Sequence, residues 1–203
     1  MLIWGDSMNY NLEMEKQMSS IEEGSTLLLH ACCAPCSTAC LERLANFFRV
    51  VIFYYNPNIT EKDEYDKRIE EIKKLISLIN PKYKVELIEG NYEPELWFSM
   101  AKGLENEKER GRRCYKCYKL RLEETAKVAS KLNIPYFCTT LTLSPHKNSD
   151  WINEIGSLLD KEYESTYLYS DFKKKEGYKR SIELSRKYDL YRQDYCGCIY
   201  SKK

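Results

Sequence analysis

The sequence lacks a long apolar segment, a secretory leader and a large excess of either charge. No run of about 18 apolar residues occurs, so no membrane-spanning helix is predicted. Residues 1–24 are polar and acidic, without the basic start and apolar centre of a signal peptide. The formal net charge of +1 gives no overall argument for nucleic-acid binding. These absences predict a cytoplasmic protein with no membrane partner.

Glycine is missing from the turn after the first predicted strand, residues 26–30. Nucleotide-binding sheets place glycines in this turn so that backbone amides can approach phosphate closely. Here the turn reads Ala31-Cys32-Cys33-Ala34-Pro35-Cys36. The sequence therefore disfavours ATP or dinucleotide binding at this turn and indicates thiol chemistry.

Cysteine, by contrast, is abundant, with nine residues in the chain. In a reducing compartment, clustered thiols bind metal or do redox chemistry more often than they form disulfides. Two of the nine, Cys40 and Cys138, are predicted to be small core residues. Disulfides, a zinc site and a redox-active pair remain alternatives to an iron–sulfur site. Seven of the nine form three groups: Cys32, Cys33 and Cys36 (first), Cys114 and Cys117 (second), and Cys196 and Cys198 (third).

The spacing within each cysteine group favours metal binding. The second group has the two-residue gap that places both sulfurs on one turn, and the third flanks Gly197, which permits a tight backbone. Adjacent Cys32 and Cys33 are expected to point in different directions, which suggests two neighbouring metals or one larger cluster. At a helix N-terminus, Cys36 and Cys33 are expected to ionise more easily than free thiols.

The order of predicted elements indicates an α/β fold. Strands alternating with helices predict a Rossmann-like parallel sheet with helices on both faces and a cysteine metal site at the carboxyl ends of the strands. Ser37 is expected to cap the helix after the first strand, and 97–113 is predicted to be irregular. Residues 1–24 are predicted as a helical extension and 25–203 as a single domain. The predicted strands are 26–30, 50–55, 84–88, 135–139 and 166–169, and the predicted helices include 61–79, 115–132, 148–161 and 172–188.

The C-terminal segment is locally basic. From Asp171 onward it carries ten Lys and Arg residues against five acidic ones. Tyrosines at 178, 188, 191, 195 and 200 are interleaved among these charges. Such a surface suits phosphate neutralisation and stacking on unpaired bases, although a solvated helix face would look similar.

Several motifs together resemble the QueH family of epoxyqueuosine reductases. The similarity extends over nearly all of the chain from about Asn9. The motifs are His30-x-Cys32-Cys33-Ala34-Pro35-Cys36-Ser37, Tyr55-Asn56-Pro57-Asn58-Ile59, Arg113-Cys114-x-x-Cys117-Tyr118, Thr139-Thr140-Leu141-Thr142-x-Ser144-Pro145, Leu190-Tyr191-Arg192-Gln193 and Tyr195-Cys196-Gly197-Cys198-x-Tyr200-Ser201.

The resemblance implies an oxidoreductase that reduces epoxyqueuosine at the wobble position of tRNA to queuosine, the final step of queuosine biosynthesis. It implies a HUP-type α/β fold, a [4Fe–4S] cluster with a neighbouring mononuclear iron, and an external electron donor. Cys36 is assigned to the second metal, since some relatives carry aspartate at its position. By carry-over, the remaining metal ligands are Cys32, Cys33, Cys114, Cys117, Cys196 and Cys198.

The expected chemistry needs two electrons and two protons, because the epoxide oxygen leaves as water. We expect the iron to act as a Lewis acid while the cluster relays electrons. The proton-donor candidates are Tyr178, Tyr191 and Asp194, with Asp171 and His30 as further candidates. A tRNA-thiolating enzyme and a thiol-redox protein of similar fold remain alternatives. Residues expected near phosphates are Arg112, Arg113, Lys173, Lys174, Lys175, Arg180 and Arg192.

Overall fold

The computed structural model describes residues 8–202 and contains a five-stranded, all-parallel sheet. The strand order is β3-β2-β1-β4-β5. This confirms the predicted α/β fold with a parallel sheet between helices. The strands are β1 (Thr26–His30), β2 (Arg49–Tyr54), β3 (Val85–Glu89), β4 (Tyr136–Thr139) and β5 (Thr166–Tyr167).

Seven α-helices accompany the strands in the described part of the chain. No helix within 8–202 combines the length and apolarity needed to cross a bilayer. The helices are α1 (Tyr10–Ser20), α2 (Ala34–Leu44), α3 (Lys62–Leu78), α4 (Pro94–Ala101), α5 (Arg112–Lys131), α6 (Ser149–Leu159) and α7 (Gly177–Lys187), with 3-10 helices at Thr140–Leu143 and Ile199–Ser201.

Strand β1 divides the core into two hydrophobic layers because successive side chains point to opposite faces of the sheet. Leu27 and Leu29 join one layer with residues of α2 and α3. Leu28 joins the other with residues of α5 and α6. All three leucines are fully buried, as expected for a parallel strand covered on both faces.

The order in which strands are added to the sheet reverses at β1, which pairs with β2 on one edge and with β4 on the other. Leu28, for example, lies opposite both Val51 and Phe137. In open parallel sheets, the crevice beyond the carboxyl ends of such neighbouring strands is the usual binding site. The first cysteine group follows β1 into this crevice.

Two local predictions fail for identifiable reasons. The second half of helix α4 lies in the segment 97–113, which was predicted to be irregular. The helix has eight residues, of which only Trp97 and Ala101 are buried, and this is too short to show helical periodicity in the sequence. Ser37 does not cap α2, because the helix begins at Ala34 with Cys33 as N-cap. The Ser37 hydroxyl instead donates to the Cys33 carbonyl at 2.8 Å.

Helix α7 begins at Gly177, five residues later than predicted. Lys175 and Glu176 have left-handed backbone conformations, with φ of 53° and 57°, so the helix cannot include them. A Cβ at Gly177 would lie 1.8 Å from the Phe172 carbonyl oxygen, so this turn requires glycine. At the other end, α1 lies within the predicted extension 1–24, whose residues 1–7 are outside the described part. The division into extension and domain stays a prediction.

Replacing Gly156 by alanine should destabilise the fold, although alanine is favoured by about 1 kcal/mol within a helix. The new Cβ would lie 2.4 Å from the ring of buried Tyr167, which closes the end of the sheet. We expect a net loss of about 1–2 kcal/mol, measured by denaturant unfolding, because overpacking outweighs propensity. The neighbouring Ser157→Ala variant should stay within about 0.5 kcal/mol of wild type, and an equally stable Gly156→Ala would contradict this packing.

Candidate metal centre

The first cysteine group lies between the end of β1 and the first turn of α2. Pro35 occupies the first turn, where its missing N–H costs no hydrogen bond. The three sulfurs lie within 4.8 Å of one another, and those of Cys32 and Cys33 are 3.7 Å apart. The expectation that adjacent cysteines point apart is therefore wrong, and all three thiols converge.

The helix dipole suggested that Cys36 and Cys33 ionise more easily than free thiols, but the surroundings of both residues act in the opposite direction. Hydrogen bonds from the other two thiols, and then the cations of Lys147 and Arg121, lower the pKa of Cys32. Burial, and then the contact with Cys32, raises the pKa of Cys33 to about 11. Hydrogen bonding to Cys32 and Cys33, together with burial, raises the pKa of Cys36. Within this group, the surroundings lower the pKa of Cys32 and raise the pKa of Cys33 and Cys36.

The second and third cysteine groups line one cavity together with Trp97, Tyr118 and Lys147. The second group lies in the first two turns of α5. The Arg110 backbone N–H donates to the Cys114 sulfur at 3.3 Å. Cysteines more than seventy positions apart in the sequence thus line the same cavity.

A buried arginine of α3 holds the third cysteine group in place. The Arg68 guanidinium donates to the carbonyls of Tyr195 and Cys196, both at 3.4 Å, and to the Glu64 carboxylate at 2.7 Å. The Asn58 side chain donates to the Cys196 carbonyl at 3.2 Å. Gly197 has φ of +95° and no room for a Cβ. The backbone of this segment is therefore fixed from one side by polar contacts with α3 and the loop after β2.

The donor set and its surroundings fit a thiophilic metal. Thiolates are the ligands of iron–sulfur clusters and zinc. The buried Nε1 of Trp97 and Nη1 of Arg121 find no acceptor in the described chain, and Trp97 packs against Cys117 and Cys198. Sulfur atoms of a metal centre could accept these hydrogen bonds.

The two sets of sulfurs differ in how closely they approach. A thiolate–metal bond is about 2.3 Å long, so the sulfurs that share one ion lie close together. Among the described residues, only the first group forms a triad of sulfurs within 4.8 Å of one another. The other four surround a shared cavity, an arrangement suited to a polynuclear centre.

The cysteines predicted to be structural are buried away from the cavity. Cys40 and Cys138 are fully buried, which confirms their assignment to the core. The Cys40 thiol donates to the Cys36 carbonyl at 3.2 Å, and that of Cys138 to the Ser170 hydroxyl at 3.6 Å.

The histidines have structural surroundings. His30 is fully buried, with its ring nitrogens 2.9 Å from the Thr139 hydroxyl and 3.1 Å from the Tyr55 carbonyl. Burial, and then the Arg121 cation, lowers the pKa of His30 to about 3, so its imidazole is neutral. His146 lies exposed in the loop after β4.

The three predicted catalytic residues are not among those lining the cysteine cavity. Tyr178 lies in the first turn of α7, and Asp194 is exposed. The Tyr191 hydroxyl donates to the Glu64 carboxylate at 3.1 Å, and burial, then this hydrogen bond, raises its pKa. Their catalytic role stays a prediction.

Most of the basic residues expected near phosphates already have protein partners. Arg113 is buried and donates to three backbone carbonyls between Leu104 and Glu107, so it is not available to phosphate. Arg112 pairs with Glu107, Lys173 with Asp171, Lys175 with Glu15 and Arg180 with Glu42, while Arg192 donates to Ser181 and Ser185. Lys174 is exposed, with no carboxylate within 4 Å in the described chain.

Sequence reasoning missed three residues beside the sulfurs. Lys147 follows β4 at the carboxyl edge, a position that the rule on strand ends could have identified. Arg121 lies one helical turn after Cys117 and so shares its face of α5. Trp97 lies in the helix that showed no period, and no pattern pointed to it.

Comparison with known proteins places these features in a family. The family model described as epoxyqueuosine reductase QueH matches residues 27–203. A Streptococcus pyogenes serotype M1 protein named epoxyqueuosine reductase QueH is 43% identical, covering 97% of this chain and 79% of its own.

More distant relatives carry the same name. The Haemophilus influenzae protein is 39% identical, over 86% of this chain and 71% of its own. The Thermotoga maritima protein is 35% identical, over 87% and 90% respectively. The chain with the three cysteine groups therefore belongs to the QueH family of epoxyqueuosine reductases, which are oxidoreductases.

Proposed function

We propose that this protein reduces epoxyqueuosine at the wobble position of tRNA to queuosine. The observation that carries the proposal is a close triad of thiols after β1 and four further thiols around one cavity, in a chain whose relatives are named for this reaction. No glycine-rich phosphate loop occupies the turn after β1, so the ATP-dependent alternative has no comparable support.

We infer a division of the thiols from their grouping. The four that surround one cavity, in the second and third groups, would hold the [4Fe–4S] cluster. The close triad of the first group would hold the additional iron. When bound, these metals would supply electrons one at a time and a Lewis acid for the epoxide oxygen.

The protein's own residues would orient the centre and supply protons. The neutral imidazole of His30 supports the loop after β2 through its contact with the Tyr55 carbonyl. The oxygen leaves as water after gaining two protons and two electrons, the latter from an external donor. Tyr178, Tyr191 and Asp194 are the proposed proton donors, and the high pKa of Tyr191 keeps its proton in place at neutral pH.

We propose that the tRNA approaches over the carboxyl edge of the sheet. Lys174, which follows β5 in the chain, is exposed and has no carboxylate partner in the described residues. Tyr200 is exposed beside Trp97, with ring centroids 5.7 Å apart. An exposed aromatic ring next to the metal cavity suits stacking on an unpaired anticodon-loop base.

Anaerobically purified protein should contain cluster iron and sulfide in near-stoichiometric amounts, with iron in excess of the cluster. Dithionite reduction should give the paramagnetic resonance signal of a reduced cluster, and incubation with epoxyqueuosine tRNA and reductant should yield queuosine. Zinc without sulfide, in protein expressed with adequate iron, would refute the cluster mechanism.

Cysteine variants should separate the two proposed metal sites. Cys36→Ser should lose the iron in excess of the cluster and retain sulfide and the reduced-cluster signal, because serine replaces a ligand of the triad only. Cys117→Ser should lose sulfide and the signal. Cys138→Ser is the matched control and should retain both. Loss of sulfide in Cys36→Ser with Cys117→Ser unaffected would reverse the assignment.

Replacing Lys174 by glutamate should weaken tRNA binding and lower the slope of log affinity against log salt by about one, since one phosphate contact is lost. Bound iron should not change. The control is Lys131→Glu, which makes the same charge change at the C-terminal end of α5, opposite to the end that carries Cys114 and Cys117. Normal affinity and salt slope in the Lys174 variant would remove it from the tRNA surface.

A further inference from the structure

Three cations lie beside the sulfurs without a carboxylate partner in the described chain, and one of them, Arg113, is held by three backbone carbonyls. Arg121 is 1% exposed, and Lys147 is partly buried and lines the cavity with four cysteines. Neither has a carboxylate oxygen within 4 Å in the described chain. An arginine stays protonated in proteins, and a buried cation without a compensating anion is strongly destabilising.

The other interior arginines have carboxylate or backbone partners, although Arg43 Nη1 and Arg113 Nε also lack an acceptor in the described chain. Arg68 forms an ion pair with Glu64 at 2.7 Å, and Arg43 lies 3.7 Å from Glu15. Arg113 donates to three backbone carbonyls. The neighbours of Arg121 are neutral groups: it donates to the Asn56 side chain, its Nε lies 3.3 Å from His30 Nε2, and its buried Nη1 has no acceptor in the described chain.

Both cations lie beside cysteines: Lys147 lines the cavity of the second and third groups, and Arg121 follows Cys117 by one turn of α5. Burial lowers the pKa of Arg121, but its proximity to Cys117, Cys32 and Cys196 more than offsets this effect, and the net shift is upward. The pKa of Lys147 follows the same pattern, with burial opposed by Cys196, Cys32 and then Cys36. Thiols of the first and third groups thus act on both cations.

We propose that Arg121 and Lys147 are the counter-charges of the thiolate–metal centre, and that they raise its reduction potential. The inference rests on the proposed function only for the identity of the metal. Thiolates bound to any metal bring more negative charge to the two cations than the thiols of the metal-free protein do. Each cation favours the more negative, reduced state of a redox-active centre.

This arrangement predicts opposite effects of charge removal on the loaded and metal-free protein. Lys147→Met should lower the melting temperature of the metal-loaded chain, because the centre loses a counter-charge. In the metal-free chain the same change removes a cation without a partner, so the melting temperature should stay equal or rise. Lys147→Arg, which keeps the charge, should behave as wild type in both forms.

Potentiometric titration of the reduced-cluster signal gives the second measurement. Lys147→Met and Arg121→Gln should each shift the midpoint to a more negative potential, and Arg121→Lys should shift it less than Arg121→Gln. Arg43→Gln is the matched control because it removes an interior arginine that has a carboxylate partner. It should lower the melting temperatures of both forms alike and leave the potential unchanged.

Equal melting-temperature shifts of the loaded and metal-free Lys147→Met protein would overturn the proposal, as would an unchanged midpoint in both charge-removing variants. Lys147 lies in a loop, so its variant tests the proposal even where Arg121→Gln fails to fold. A protein that carries zinc without sulfide would contradict the proposed function, whereas the comparison of loaded and metal-free forms would still test the counter-charges.

Discussion

Hydrogen bonding of β1 on both of its edges is the constraint on which the rest of the structure depends. The parallel pairing with β2 and β4 brings three strand ends to one crevice. The first cysteine group, the loop carrying Asn56 and the loop carrying Lys147 leave from these ends. Helix α5 then packs across β1 and β4 with its N-terminal cysteines directed to the same edge.

The rest of the metal centre depends on polar contacts rather than on the sheet. The third cysteine group belongs to a segment without regular structure, and Arg68 with Asn58 holds its backbone carbonyls. Arg68 can be buried because Glu64, one turn before it on α3, balances its charge. The hydrophobic layers position the first two groups, and one ion pair of α3 positions the third.

Periodicity and strand-end rules predicted the parallel sheet, the three cysteine groups and the core role of Cys40 and Cys138. They could not give the convergence of Cys32 and Cys33, because side-chain direction there depends on the extended backbone at the start of α2. Helix α4 was missed since eight residues with two buried positions show no period. Arg113 was predicted to lie near phosphate because the sequence does not reveal which arginines donate their hydrogen bonds to backbone carbonyls.

The anchoring of the third cysteine group also bears on how the centre is assembled. In zinc fingers the metal orders the chain, and part of the binding free energy is lost to that ordering. Here the contacts of Arg68 and Asn58 with Tyr195 and Cys196 are hydrogen bonds between protein groups alone. The conformational entropy of this segment is lost during folding, so metal insertion meets a preorganised set of thiols and retains more of its intrinsic affinity.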